Sequence, residues 1–219
     1  MKDKRLFAFC FRVAAALFSI FMVLTTTGVF NGHLSLMGFL FYTTLSNAIV
    51  ALMFCVLAVK TLVEIKRSGK TGSCSFYPRI SACVTVAITV TLIVFWSLLV
   101  WFLEPKIVMK FESFGQHLIV PFLMIFDYFF FTERGKLKKY DPLLFLAIPF
   151  AYMVLVTIVA LRGFVYPIME PGRTSGRHFP YFFLDFSELG FVAAVYVVGI
   201  MVFFLALNYL LYWFDKKKQ

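Results

Sequence analysis

Charged residues are scarce in this sequence. Asp, Glu, Lys and Arg make up 15% of its 219 residues, against about 25% in an ordinary soluble domain. Cysteine occurs four times and histidine three times. Cys10, Cys55, Cys74 and Cys83 form no C-x-x-C pair, and no histidine or cysteine cluster has zinc spacing. That sets aside a disulfide framework and a structural zinc site, and no other motif implies a metal or organic cofactor. Cys10, Cys55 and Cys83 fall in or beside apolar stretches and are expected as small core residues. Cys74 is expected in a cytoplasmic loop, unpaired. Internal repeats and low-complexity tracts are lacking as well.

Apolar mass is abundant. Hydrophobic residues make up 62% of the chain, and 30 residues are phenylalanine, some in runs such as Phe129–Phe131. One core cannot absorb so much, so the excess must face something other than water. The net charge of +10 would suit a nucleic-acid binder. Here the basic residues sit in short clusters between apolar stretches, as membrane-flanking loops do, and no nucleic-acid partner is expected.

A membrane helix needs about 20 mostly apolar residues to cross about 30 Å of hydrocarbon. Six stretches qualify, at about 6–30, 38–62, 80–103, 116–132, 143–161 and 190–214. They lack the alternation of a membrane barrel. The expected fold is an all-α membrane protein, a single domain over 1–219 built as a bundle of six transmembrane helices. Lys2, Lys4 and Arg5 imitate the start of a signal peptide, but the apolar run that follows is too long and lacks an A-x-A-like exit, so it reads as an uncleaved first helix. Fourteen basic residues fall on the side of the two termini and five on the other. The positive-inside rule then puts both termini in the cytoplasm. In the segment 163–189, Pro167, Pro171, Gly172, Gly176 and Pro180 interrupt helix formation. Its later half, Phe179 to Phe186, is too aromatic for water and is expected to fold back over the outer end of the bundle.

Polar groups in hydrocarbon need partners, and ionisable ones mark functional sites by default. Thr43, Ser46 and Asn47 stand at i, i+3 and i+4 and share one helix face. On spacing alone such a trio is most simply glue between helices. His117 and Asp127 lie ten residues apart on the fourth helix, roughly 15 Å along its axis. His117 falls near the outer end and Asp127 near the midplane. His117 alone suits an interfacial structural role or a catalytic one. Asp127 suits a structural hydrogen bond, a protonated carboxyl or a direct chemical role. Thr43 and His117 fall at similar depth in the outer layer, with Ser97 close to that depth. A hydroxyl within reach of an imidazole is the minimum for nucleophilic acyl chemistry. It also needs an oxyanion stabiliser, which an Asn47 amide N–H would supply. Asn208 falls near the other end of the sixth helix, outside this cluster.

Three segments carry a family resemblance. Phe41-Tyr42-Thr43-Thr44-Leu45-Ser46-Asn47 resembles the F-T-x-x-S-N segment of a bacterial family of small membrane proteins written Pr-six-Pr. His117-Leu118-Ile119-Val120-Pro121, followed by Asp127, resembles its H-x-x-x-P…D helix. Phe179-Pro180-Tyr181-Phe182-Phe183-Leu184-Asp185 resembles its Y-P-Y-P-F-L-D segment, with Phe182 in place of the second proline. That family is similar in turn to the androgen-induced-gene-one and ADTRP membrane threonine hydrolases, which cleave fatty acid esters of hydroxy fatty acids. The resemblance implies a plasma-membrane lipid ester hydrolase with Thr43 as nucleophile and His117 as base. Thr44 leaves the nucleophile open by one position, about 100° around the helix.

The expectation is therefore hydrolysis of a lipid ester from the outer leaflet, with Ser46, Asn47 or Ser97 orienting or stabilising. Segment 179–186 forms a lid or wall, with Tyr181 and Asp185 facing the site. Membrane lipids are the expected partners, and nothing in the sequence sets an oligomeric state. Two other classes fit the composition. One is a binder or transporter of a small apolar or weakly acidic molecule, motivated by Asp127. The other is a scaffold subunit whose basic loops contact anionic lipids.

Overall fold

A computed structural model describes residues 4–167, 172 and 174–217. Lys2, Pro171, Arg173 and Lys218 lie outside the described residues. Six long helices dominate: α1 (Lys4–Thr25), α2 (Tyr42–Ser68), α3 (Pro78–Ser97), α4 (Phe111–Phe131), α5 (Asp141–Leu161) and α6 (Phe191–Lys216). Each is long and apolar enough to cross a membrane, so the architecture is that of a multi-pass membrane protein. The described residues contain no strand, only an isolated antiparallel bridge between Tyr166 and Arg177.

Several helix ends differ from those expected. α1 stops at Thr25, short of 30. The hydroxyls of Thr25, Thr26 and Thr27 turn back onto the carbonyls of Met22, Val23 and Leu24, and Gly28 then takes a φ of 73°. α2 starts at Tyr42, not 38, because Met37–Leu40 winds into a 3-10 turn and Phe41 is extended. It then runs on to Ser68, past Lys60, Glu64 and Lys66, whose long side chains let a helix leave the apolar layer. α4 starts at Phe111, five residues before 116.

The helices fall into two groups. α1 to α4 share one core, with Ala16, Val50, Phe54, Ile88, Val120 and Met124 all buried. Ala8 and Ala15 on α1 and Ala51 and Ala58 on α2 are buried too, small residues of the kind that let membrane helices approach closely. α5 and α6 are more peripheral and bury the least. The outward faces are apolar: Leu52 and Val59, two turns apart on α2, are 66% and 60% exposed. In a water-soluble chain such a stripe would be polar; facing lipid tails it costs nothing.

Burial of the cysteines follows packing and not the apolarity of their neighbours. Cys74, in the loop between α2 and α3, is the buried one; Cys10 is exposed on α1, and Cys55 and Cys83 are half-buried. All four are free. In the segment before α6, Phe182–Leu184 forms a buried 3-10 turn packed against Tyr152 and Val156 of α5 and Leu98 and Leu99 after α3. This brings Tyr181 to the N-terminus of α2.

Candidate active site

Thr43 is the second residue of α2. It lies in the first turn, shallower along the helix than expected. The residue before the helix is Phe41, which has no side-chain oxygen to cap the free N–H groups of that turn. The Thr43 N–H instead donates to the Tyr181 hydroxyl at 3.4 Å. The Thr43 carbonyl receives two side-chain donors, Ser46 Oγ at 3.0 Å and Asn47 Nδ2 at 2.8 Å. The i, i+3, i+4 spacing thus closes on the backbone of its own first residue. Ser46 Oγ also pairs with Thr91 Oγ1 on α3 at 2.8 Å.

The other half of the site is on α4. Its first turn is α-helical, but Gly115–Ile119 winds as a π-turn. The Val120 N–H reaches back five residues to the Gly115 carbonyl. Pro121 has no N–H at all. The carbonyls of Gln116 and His117 take donors from neighbouring helices instead: Asn47 Nδ2 at 3.1 Å and Trp96 Nε1 at 3.1 Å. Gln116 anchors to α1 through Nε2 and the Met22 carbonyl, at 2.8 Å. At Gly115 a β-carbon would overlap Met22 Sδ, so any larger residue there has to displace the Met22 side chain. Wide turns of this sort recur at functional sites because they re-aim one side chain.

The re-aimed side chain is His117. Its Nε2 lies 3.2 Å from Thr43 Oγ1, and its Nδ1 lies 2.9 Å from the Ser113 carbonyl. A carbonyl can only accept, so Nδ1 carries the proton. Nε2 is left with its lone pair toward the Thr43 hydroxyl, which donates. The Phe95 ring stacks on the imidazole at 3.6 Å between centroids, tilted by 15°. The hydroxyl, the imidazole and the carbonyl that orients it stand in the relation that can activate a hydroxyl. Thr43, not Thr44, makes this contact; Thr44 is buried beside it.

Two cavities meet at Thr43. One of about 70 Å³ lies among α3, α5 and α6 and is walled by apolar side chains such as Val94, Met153, Val197 and Ile200. The other, of about 480 Å³, is more polar and takes in Asn31, Ser35, Gln116, His117 and Arg177. Thr43, Phe95, Leu99 and Tyr181 line both.

Other expected site residues lie elsewhere. Ser97 is exposed at the end of α3 and donates to the Ile93 carbonyl at 2.6 Å. Depth alone suggested it, but its face of α3 points away. Asp185 is buried and faces its own segment. It accepts from the Glu188 N–H and from Ser187, capping the short helix Phe186–Leu189, and pairs with Arg177 at 3.3 Å. Asn47 is committed to two carbonyls, so its N–H groups are not available to an oxyanion. Asp127 stands four residues before the end of α4. It binds Arg12 in a bidentate pair, at 2.7 and 3.1 Å, with both side chains fully buried. Arg12, buried on α1, is the partner Asp127 needs. Asn208 is buried and donates to the Pro142 carbonyl, away from the site. Phe95, Trp96 and Gln116 carry no catalytic motif. The one signal for Trp96 was Pro121, which strips a carbonyl one turn earlier of its helical donor.

No family model, curated protein or solved structure matches this chain.

Proposed function

We propose that this protein is a membrane-embedded hydrolase that cleaves the ester bond of an acyl lipid, with Thr43 as nucleophile and His117 as general base. The observation that carries the reading is the Thr43 Oγ1 to His117 Nε2 contact of 3.2 Å, with Nδ1 held by the Ser113 carbonyl. That tautomer is the one a base needs. The imidazole removes the hydroxyl proton as Thr43 attacks the ester carbonyl, then returns it to the departing alcohol. A water molecule repeats the cycle on the acyl-threonine and releases the acid. The apolar cavity, at about 70 Å³, has room for only a few carbons beside the ester, and the more polar one, at about 480 Å³, suits the larger part of the substrate and the entry of water.

The distribution of basic residues supports a site in the outer half of the membrane, with both termini in the cytoplasm. The resemblance to the Pr-six-Pr family agrees with this reading and supports a plasma-membrane location.

The test is reaction of the detergent-solubilised protein with a long-chain alkyl fluorophosphonate. Wild type and Thr44→Ala are expected to label. Thr43→Ala is expected to fall to background and His117→Ala by about 10²–10⁴-fold. Labelling that survives in folded Thr43→Ala removes Thr43 as nucleophile. A wild type that never labels transfers the site to a binder or scaffold role.

A further inference from the structure

We infer that Tyr181 is the oxyanion donor of this site, its phenol O–H hydrogen-bonding the ester carbonyl oxygen as that oxygen gains charge. The inference rests on the hydrolase reading above and adds the group that reading lacks.

A carbonyl attacked by Thr43 must sit beside its hydroxyl, where the two cavities join. Among the described residues, four line both cavities: Thr43, Phe95, Leu99 and Tyr181. Phe95 and Leu99 have no polar hydrogen, and Thr43 is the attacking group. Tyr181 is the one remaining side chain of the four with a proton to donate.

Its neighbours are already committed. Asn47 donates to the Thr43 and Gln116 carbonyls. The Tyr42 hydroxyl donates to the Ala87 carbonyl at 3.2 Å and that of Tyr152 to the Leu40 carbonyl at 3.0 Å. The Tyr181 oxygen accepts the Thr43 N–H, a contact that leaves its own proton for another acceptor. That contact also ties the phenol to the positive end of α2, so the N-terminal peptide dipoles reinforce it as a donor. The ring is held rigidly. It stacks parallel on Phe183, 5.3 Å between centroids and 5° apart, and meets the edge of Phe41 at 6.2 Å. Burial raises the Tyr181 pKa above the ordinary phenol value, so the group stays protonated at neutral pH.

The step balances. The Thr43 Oγ–C bond forms as its proton passes to His117 Nε2, and the carbonyl π pair moves onto oxygen, where Tyr181 holds it by a hydrogen bond. Collapse restores the carbonyl and breaks the bond to the alcohol, which leaves with the proton from His117. Water then attacks the acyl-threonine through the same oxyanion. Tyr181 keeps its proton throughout.

The test uses the full-length protein in micelles, with a medium-chain p-nitrophenyl ester as substrate and the alkyl fluorophosphonate as probe. Tyr181→Phe retains the ring and its stack. Its kcat is expected to fall by about 10²–10³-fold, the usual cost of losing one oxyanion donor, with KM within about twofold, since the bond strengthens only in the transition state. Tyr209→Phe, exposed on α6 and outside both cavities, is the control and keeps kcat within about threefold. A Tyr181→Phe enzyme at near wild-type kcat, or one changed in KM alone, overturns the inference and leaves Thr43 and His117 standing. Wild type with no more turnover or labelling than Thr43→Ala overturns the reading beneath it. If Tyr181→Phe does not fold, the wild-type phosphonyl adduct decides. An isotope-edited P=O stretch lower than that of the free phosphonate ester in ether is expected, and a stretch equal to it overturns the inference.

Discussion

The Thr43 carbonyl accepts from both Ser46 and Asn47, and the same Asn47 amide reaches the Gln116 carbonyl on α4. One side chain therefore fixes the residue proposed to attack and the residue next to the proposed base. Asn47→Ala removes both bonds. It is expected to lower kcat by about tenfold or more, since small misplacements of reacting groups are costly. Melting of the purified protein should show a loss of about 1–3 kcal/mol from the Gln116 carbonyl left unpaired, since the Thr43 carbonyl keeps Ser46. Unchanged kcat together with unchanged stability would remove this role. At this scale the sequence was partly legible. The spacing of Thr43, Ser46 and Asn47 puts them on one face, because helix geometry fixes that. It does not say which carbonyl on another helix Asn47 meets. Asp185 shows the opposite failure: its place in a motif suggested the site, while its neighbours Ser187 and Arg177 bind it first.

At the scale of the helix, α4 is the element that makes the site. Six apolar runs were readable because length and hydropathy decide them. The turn inside α4 was not, because hydropathy does not distinguish a π-turn from an α-turn. What the sequence does contain is Pro121, four residues after His117, and Gly115, two before it. Together they explain why the backbone widens there and why Trp96 and Asn47 supply donors to it. Pro121→Ala restores an N–H that competes for those carbonyls and favours a regular α-helix. The variant is expected to be as stable as wild type or more so, since proline within a helix costs about 3 kcal/mol. Its fluorophosphonate labelling rate is expected to fall by about tenfold as the imidazole rotates off Thr43. A variant that is more stable and labels at the wild-type rate would show that the wide turn does not aim His117.

Across the whole molecule, the site end is joined to a buried ionic centre near the other end. Arg12 on α1 binds Asp127 on α4, Thr61 Oγ1 on α2 at 2.7 Å and the Cys74 carbonyl at 2.9 Å. Three helices and a loop are thereby fixed to one guanidinium. Such a pair gains little over apolar side chains of similar volume, but breaking one half leaves a charge stranded in a dry interior. Arg12→Leu and Asp127→Leu are each expected to destabilise the fold by about 3–5 kcal/mol. The double variant should cost less than either single one, measured by denaturation in micelles. Costs that simply add would mean the two groups do not act as a pair. The double variant also separates the functional readings. Thr61 is eighteen residues along α2 from Thr43, roughly 27 Å, so ester cleavage and labelling should persist once the pair is replaced as a unit. A carboxylate carrying protons for a transported solute could not be replaced by leucine. Labelling that survives in the double variant therefore ties function to the Thr43 end, and labelling lost from a folded double variant returns Asp127 to the chemistry.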